Sequence, residues 1–228
     1  MNSIACWDLP GWESTSCLTC NIRHSETELS EHRIVLASNN PGKVREISEM
    51  LSRESIEIIS QSELKVPEIE ETGLSFVENA ILKARNASRL TGLPAIADDS
   101  GIELPALNGR PGIYSARYAG EGATDEANLK KLIEDIRPLP ENQREAQFVC
   151  VMVYMRHAED PVPLIAQGIW QGIAVTEPRG ENGFGYDPIF YLPDNLCTSA
   201  ELSPEHKNNL SHRGKALRRL VNLLKLEF

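Results

Sequence analysis

Ile34-Val35-Leu36-Ala37-Ser38-Asn39-Asn40-Pro41-Gly42-Lys43 is the stretch that sets the architecture of this chain. Ile34 to Ala37 is a short apolar run, the pattern of a buried strand. Ser38, Asn39, Asn40, Pro41 and Gly42 form a turn cluster. Lys43 then opens an amphipathic stretch with Val44, Ile47, Met50 and Leu51 at helical spacing. The unit is strand, tight loop, helix. A helix N-terminus offers unpaired N–H groups and a positive dipole end, which favour phosphate. The Walker spacing is absent, so a generic strand-turn-helix unit accounts for the same residues equally well.

The same alternation continues outward. Ile56 to Ser60 reads as a strand. Ser75 to Leu90 reads as a helix, with Phe76, Ala80, Leu82, Ala84 and Ala87 on its buried side and Gly92 near its stop. Residues 95–104 read as two short strands broken by an Asp98-Asp99-Ser100-Gly101 turn. Thr124 caps a helix to about Ile136, ended by Pro138 and Pro140. Ala146 to Tyr154 is a long strand, and Leu164 to Val175 supplies one or two more. Pro204 to Asn209 is a short helix. Ser211 caps a last one, with Leu217, Leu220, Val221 and Leu224 in one stripe. This order predicts an α/β fold with a mixed sheet.

Composition narrows the function. The chain has 228 residues and a net charge of −10, which argues against non-specific binding to nucleic acid or an anionic membrane. No apolar run approaches the ~20 residues of a membrane span. The N-terminus lacks a signal-peptide pattern, so the expected compartment is the cytoplasm. Residues 1–31, which include Trp7, Trp12 and Cys17-Leu-Thr-Cys20, lack periodicity and read as an extension to a domain spanning 32–228. No second ligand pair completes a zinc site with Cys17 and Cys20, so incidental thiols are the simpler reading. Cys150 lies in a strand-like run and belongs to the core.

Four clusters carry chemistry. Asp98 and Asp99 are adjacent carboxylates that need a cation if buried, or else form a cap or turn. Glu70-Glu71-Thr-Gly73 precedes the helix bearing Lys83. Its acids complement that helix dipole or supply a carboxylate to Mg²⁺. Gly183-Phe184-Gly185-Tyr186-Asp187 sets an aromatic between glycines, either as core or as a stacking platform for a base. Lys207, with His212 and Arg213 at a helix start, places cations against the dipole preference, which hints at a bound anion or acceptor.

These motifs resemble the inosine/xanthosine triphosphate pyrophosphatases. The resemblance runs from about Ile34 to Leu224. It rests on Ser38-Asn-Asn-Pro-Gly-Lys43, Glu71-Thr-Gly73, Glu78-Asn-Ala-Ile-Leu-Lys-Ala84, Ala97-Asp-Asp-Ser-Gly101, Pro111-Gly-Ile-Tyr-Ser-Ala-Arg-Tyr118, Gly183-Phe-Gly-Tyr-Asp-Pro188 and Ser211-His-Arg-Gly-Lys-Ala216. Asn39 stands where the family's first loop usually has Gly; were a positive φ needed there, Asn is the non-glycine residue that best tolerates it.

The resemblance implies an elongated α/β fold, two lobes around a central mixed sheet flanked by helices, and a homodimer. It implies Mg²⁺-dependent hydrolysis of ITP, dITP and XTP to monophosphate and pyrophosphate. Asp99 is implied as general base and, with Glu71, as metal ligand. Ser38, Asn39, Asn40, Pro41, Gly42, Lys43, Lys83 and Ser100 would hold the triphosphate. Phe184, with Gly185 and Tyr186, would seat the base, and Asp187, Lys207, His212 and Arg213 would read its edge. Two rival readings are a pyrophosphatase for modified pyrimidines and a phospho-acceptor module built on Asp98 and Asp99. The base-reading clusters speak against both.

Overall fold

The structure is a computed structural model that describes residues 32–51 and 56–227. The readings of residues 1–31, including Cys6, Cys17 and Cys20, lie outside those residues. Strand β1 (His32–Leu36) leads through the Ser38–Asn40 turn into α1 (Pro41–Leu51). Helix α1 starts at Pro41, ahead of Lys43. Proline suits the first helical position because its missing N–H would have no partner there. Strand β2 is Ile56–Ser60, and α2 is Phe76–Thr91. Ser75 caps α2 by accepting from the Glu78 N–H, and Gly92, at φ 70°, ends it. Ala80, Ala84 and Ala87 are buried on α2 as expected, whereas Phe76 and Leu82 are only half-buried.

Strand β3 (Ala95–Glu103) corrects the sequence reading. It is one continuous strand, and Asp98 and Asp99 lie in its middle, in neither a turn nor a strand end. The cause is long-range. Every residue from Ala95 to Glu103 pairs with β4 (Glu145–Met155), and each acid finds a cation on its own side of the sheet. Then come α3 (Asp125–Ile136), β5 (Leu164–Ala174), β6 (Phe190–Leu192), β7 (Cys197–Thr198), α4 (Pro204–Leu210) and α5 (His212–Leu224). Thr124 and Ser211 cap α3 and α5, as their positions predict.

These strands form one sheet in the order β2-β1-β3-β4-β5-β6-β7. Strand β1 is parallel to β2 and β3, and the remaining pairs are antiparallel. The sheet is mixed, as expected. Side chains alternate across it. Ile34, Leu36, Ile96, Cys150 and Met152 face α1 and α5. Val35, Ala37, Ala97, Val149 and Val151 face the alanine stripe of α2. A third cluster, with Ile102, Leu132, Phe148, Trp170 and Phe190, packs beyond them against α3. Among the described residues no helix is long and apolar enough to cross a membrane.

Candidate active site

The β1–β3 ladder stops at Leu36–Ile96. The edge of β3 is covered again at Ile102, whose N–H donates to Ser115 Oγ at 3.0 Å, and at Glu103, which bridges to Pro111. Between those points the strand edge opens into a cleft of about 490 Å³. Ligand sites in α/β sheets favour such positions, beyond the carboxyl end of a parallel strand. Strand alternation then does the chemical sorting. Asp98 points with Ile96 toward α1 and α5, and Asp99 points with Ala97 toward α2.

On the α2 side, Asp99 Oδ1 accepts from Lys83 Nζ at 3.0 Å and Oδ2 from Asn79 Nδ2 at 3.2 Å. Lys83 Nζ also donates to Glu71 Oε1 at 2.8 Å, and Arg117 Nη1 reaches Glu71 Oε2 at 3.3 Å. Two carboxylate oxygens therefore converge on one cationic atom. Burial pushes the Asp99 carboxyl above its ordinary range, and Lys83 and Lys43 only partly offset it. For Glu71 burial also opposes ionisation, but Lys83 outweighs it and the pKa falls.

Among the described residues, no group of three or more His, Cys, Asp or Glu gathers at a metal-binding spacing. A pair of carboxylates is the donor set that suits Mg²⁺, which keeps waters and takes remaining oxygens from phosphates. The residues fit that ion.

On the opposite side, Asp98 is fully buried and meets Lys43 Nζ at 3.1 Å and Arg213 Nη2 at 3.5 Å. Burial disfavours its charge, yet Lys43 and Arg213 hold its pKa far below the usual range. Arg213 also donates to Ser100 Oγ at 3.0 Å and to Glu46. Lys207 Nζ lies 2.8 Å from Glu46 Oε1 and 2.7 Å from Asp187 Oδ2. The basic start of α5 is thus answered within the protein by Asp98 and Glu46, and no external anion is needed to explain it. His212 is stacked on Phe148, with centroids 4.6 Å apart and planes 8° apart. Burial, then Arg213, push its pKa well below the ordinary value, so it faces the cleft as a neutral ring with Nδ1 unpartnered.

Phe184 lines the cleft beside the basic groups of α4 and α5. Lys207 Nζ and Arg213 Cζ lie 5.0 and 5.6 Å from its ring centroid. A Cβ on Gly42 would come within 2.7 Å of the ring, so glycine there lets the Ser38–Lys43 turn seat against it. The loop is braced from behind. Asp187 Oδ2 accepts the Phe184 N–H at 2.8 Å, Asp187 Oδ1 accepts Ser199 Oγ at 2.8 Å, and Tyr186 Oη donates to Ser115 O at 2.7 Å. Gly185 N–H meets Asp125. In the structure Asp187 and Tyr186 hold the platform in place. The turn is shaped likewise: Asn40 Oδ1 accepts the Lys43 N–H at 3.0 Å, and Asn40 N–H lies 3.3 Å from Ser38 Oγ. Ser38, Asn39, Asn40 and Lys43 all line the cleft.

The structure places most of the expected residues along one cleft, though Pro41 and Gly42 are not among its lining, and it adds others that the sequence reading left without a role. Glu46 lies one turn after Lys43 on α1, and that spacing was its only signal. Asn79 lies four residues before Lys83 and puts an amide beside the buried alanine stripe, a polar interruption that could have marked it. Arg117 stood in one of the quoted motifs without a role of its own, and nothing in the sequence singled out Phe148.

A Ham1 family model matches residues 34–223. A dITP/XTP pyrophosphatase of Photorhabdus laumondii is 56% identical over 193 residues, covering 85% of this chain and 98% of that protein. A dITP/XTP pyrophosphatase of Thioalkalivibrio sulfidiphilus is 61% identical over 192 residues, covering 84% and 98%. A solved HAM1 protein from Coxiella burnetii superposes with a TM-score of 0.79 at 52% identity, over 85% of this chain and 98% of that one.

Proposed function

The chain belongs to the Ham1 family, and on that premise we propose that it hydrolyses dITP, ITP and XTP to the monophosphate and pyrophosphate. The observation that carries this reading is the joint placement of the Phe184 platform and the converging Asp99 and Glu71 carboxylates in one cleft.

The base stacks on Phe184, where base–aromatic stacking is worth about 1–3 kcal/mol. Lys207, His212 and Arg213 border its edge. Donors there pair with a 6-oxo group and leave the 6-amino group of adenine unpaired, a mismatch that discriminates strongly. The triphosphate runs from the Ser38–Lys43 loop at the start of α1, past Ser100, toward Lys83. Helix N–H groups and the two lysines answer its charge. Asp99 and Glu71 would hold Mg²⁺, which when bound neutralises phosphate charge and eases attack at phosphorus. Asp99 takes the proton from the attacking water, and its raised pKa suits a base.

Residues 32–228 are proposed as the catalytic domain, with 1–31 as an extension. A homodimer and a cytoplasmic location accompany the family reading. The phospho-acceptor alternative has little support, because Asp98 is sealed in ion pairs. The test is pyrophosphate release from ITP, dITP, XTP, ATP and GTP, with Mg²⁺ and with EDTA. The expected result is release from the first three and none from ATP, abolished by EDTA. Equal rates on ATP, or activity in EDTA, would overturn it.

A further inference from the structure

We propose that Asn79 is a positioning residue that clasps the Glu71 loop to Asp99 and so fixes the separation of the two carboxylates. The inference rests on the reading of that pair as the seat of a divalent cation. Asn79 has no solvent exposure, and both ends of its amide are used. Its Oδ1 accepts the Gly73 N–H at 2.8 Å, two residues beyond Glu71. Its Nδ2 donates to Asp99 Oδ2 at 3.2 Å, on the oxygen opposite the one that meets Lys83.

Two connections therefore join Glu71 to Asp99. One is direct and cationic, through Lys83. A divalent cation competes with it, because both want the same oxygens. The other is the neutral amide of Asn79, which touches only the far oxygen of Asp99 and the loop backbone. It can persist when a cation binds. Asn79 and Lys83 stand four residues apart on α2, so one helix face carries both links.

Gly73 supports the same reading independently. A Cβ there would lie 2.6 Å from Asn79 Oδ1 and 2.6 Å from Glu78 Cβ. The loop is glycine where it must press against the amide. Groups that orient metal ligands commonly set affinity by about 10–100-fold.

The experiment is Mn²⁺ binding to the full chain without nucleotide, followed by electron paramagnetic resonance, with IMP affinity measured in parallel. The wild type should bind Mn²⁺, and Asp99→Asn should weaken it. If the wild type shows no Asp99-sensitive binding, the carboxylate-pair reading fails and the clasp falls with it. With that control in hand, Asn79→Ala should weaken Mn²⁺ about tenfold or more and leave IMP affinity within about twofold. Gly73→Ala should do the same, and the double variant should lose no more than the worse single one. Native Mn²⁺ affinity in Asn79→Ala overturns the proposal, as does an equal loss of Mn²⁺ and IMP binding, which would mean general loosening. If Asn79→Ala does not fold, Gly73→Ala decides alone, and native Mn²⁺ affinity there overturns the clasp.

Discussion

Asp98 and Asp99 are neighbours in one strand, yet their carboxylates serve opposite sides of the sheet. Asp98 meets Lys43 at 3.1 Å on the α1–α5 side, and Asp99 meets Lys83 at 3.0 Å on the α2 side. Strand alternation keeps them apart, so two like charges one residue apart do not compete for one cation. Asp98 is tied through Oδ2 into a buried ion-pair network, and Asp99 remains at the cleft with a charge that its surroundings do not fully answer.

That difference predicts opposite effects on stability. Asp98→Asn leaves Lys43 and Arg213 without their buried counter-charge. Breaking a buried pair on one side costs about 3–5 kcal/mol. Asp99→Asn removes a carboxylate whose raised pKa means that the fold disfavours its charge, so its stability should match or exceed the parent's. Urea denaturation of both variants at neutral pH checks this. Equal losses would show that the two acids are not separated as described.

His212 gives a pH signature. Its folded pKa lies well below the unfolded value of about 6.5. The unfolded chain therefore takes up a proton first as pH falls, and stability should decline as pH drops below about 6.5. Glu46, whose pKa is lowered by Arg213 and Lys207 against the effect of burial, adds a further loss as pH falls through the ordinary carboxylate range and below it. Melting temperatures from pH 8 to 5 should fall for the parent and fall less for His212→Phe, which keeps a ring on Phe148 without a titrating group. Parallel slopes would refute the assignment.

Gly42→Ala should act on substrate binding. The new Cβ would meet the Phe184 ring at 2.7 and 2.8 Å and push the platform away from the phosphate loop. Loss of about half of a stacking contact worth about 1–3 kcal/mol predicts a KM for ITP raised by roughly 2–10-fold, with the fold retained. Steady-state kinetics and circular dichroism check this together. An unchanged KM would mean that Phe184 does not carry the base.

Removal of residues 1–31 should leave pyrophosphatase activity within about twofold. Among the described residues, the side chains that line the cleft begin at Ala37, and a ligand site draws on the groups that line it. Activity assays on the shortened chain, checked for native melting, decide the point. A folded but inactive product would put the extension in the site.

Local chemistry explains what was legible in the sequence. Ser75, Thr124 and Ser211 announce helix starts because an N-cap acts over three residues. The strand at Ile34 shows in its own apolar run. Strand β3 was read as broken because two acids, Ser and Gly look like a turn until their partners are known. Those partners lie 16 residues away at Lys83 and 115 residues away at Arg213. The same distance hid Glu46, which is 161 residues from Lys207 and 167 from Arg213. Motif resemblance named the cleft residues, Asp99 among them, and the sheet's alternation supplies the physical reason that Asp98 turns to the other side.

The central claim is that Asp99, rather than Asp98, carries the chemistry. Its most direct test is the rate of pyrophosphate release from ITP by Asp99→Asn at saturating Mg²⁺, beside the wild type, with native melting verified. Loss of a general base costs about 10²–10⁴-fold, and loss of a metal ligand adds to it. The expected kcat is reduced at least about a hundredfold in a protein that melts like its parent. A kcat within a few fold of the wild type would contradict it.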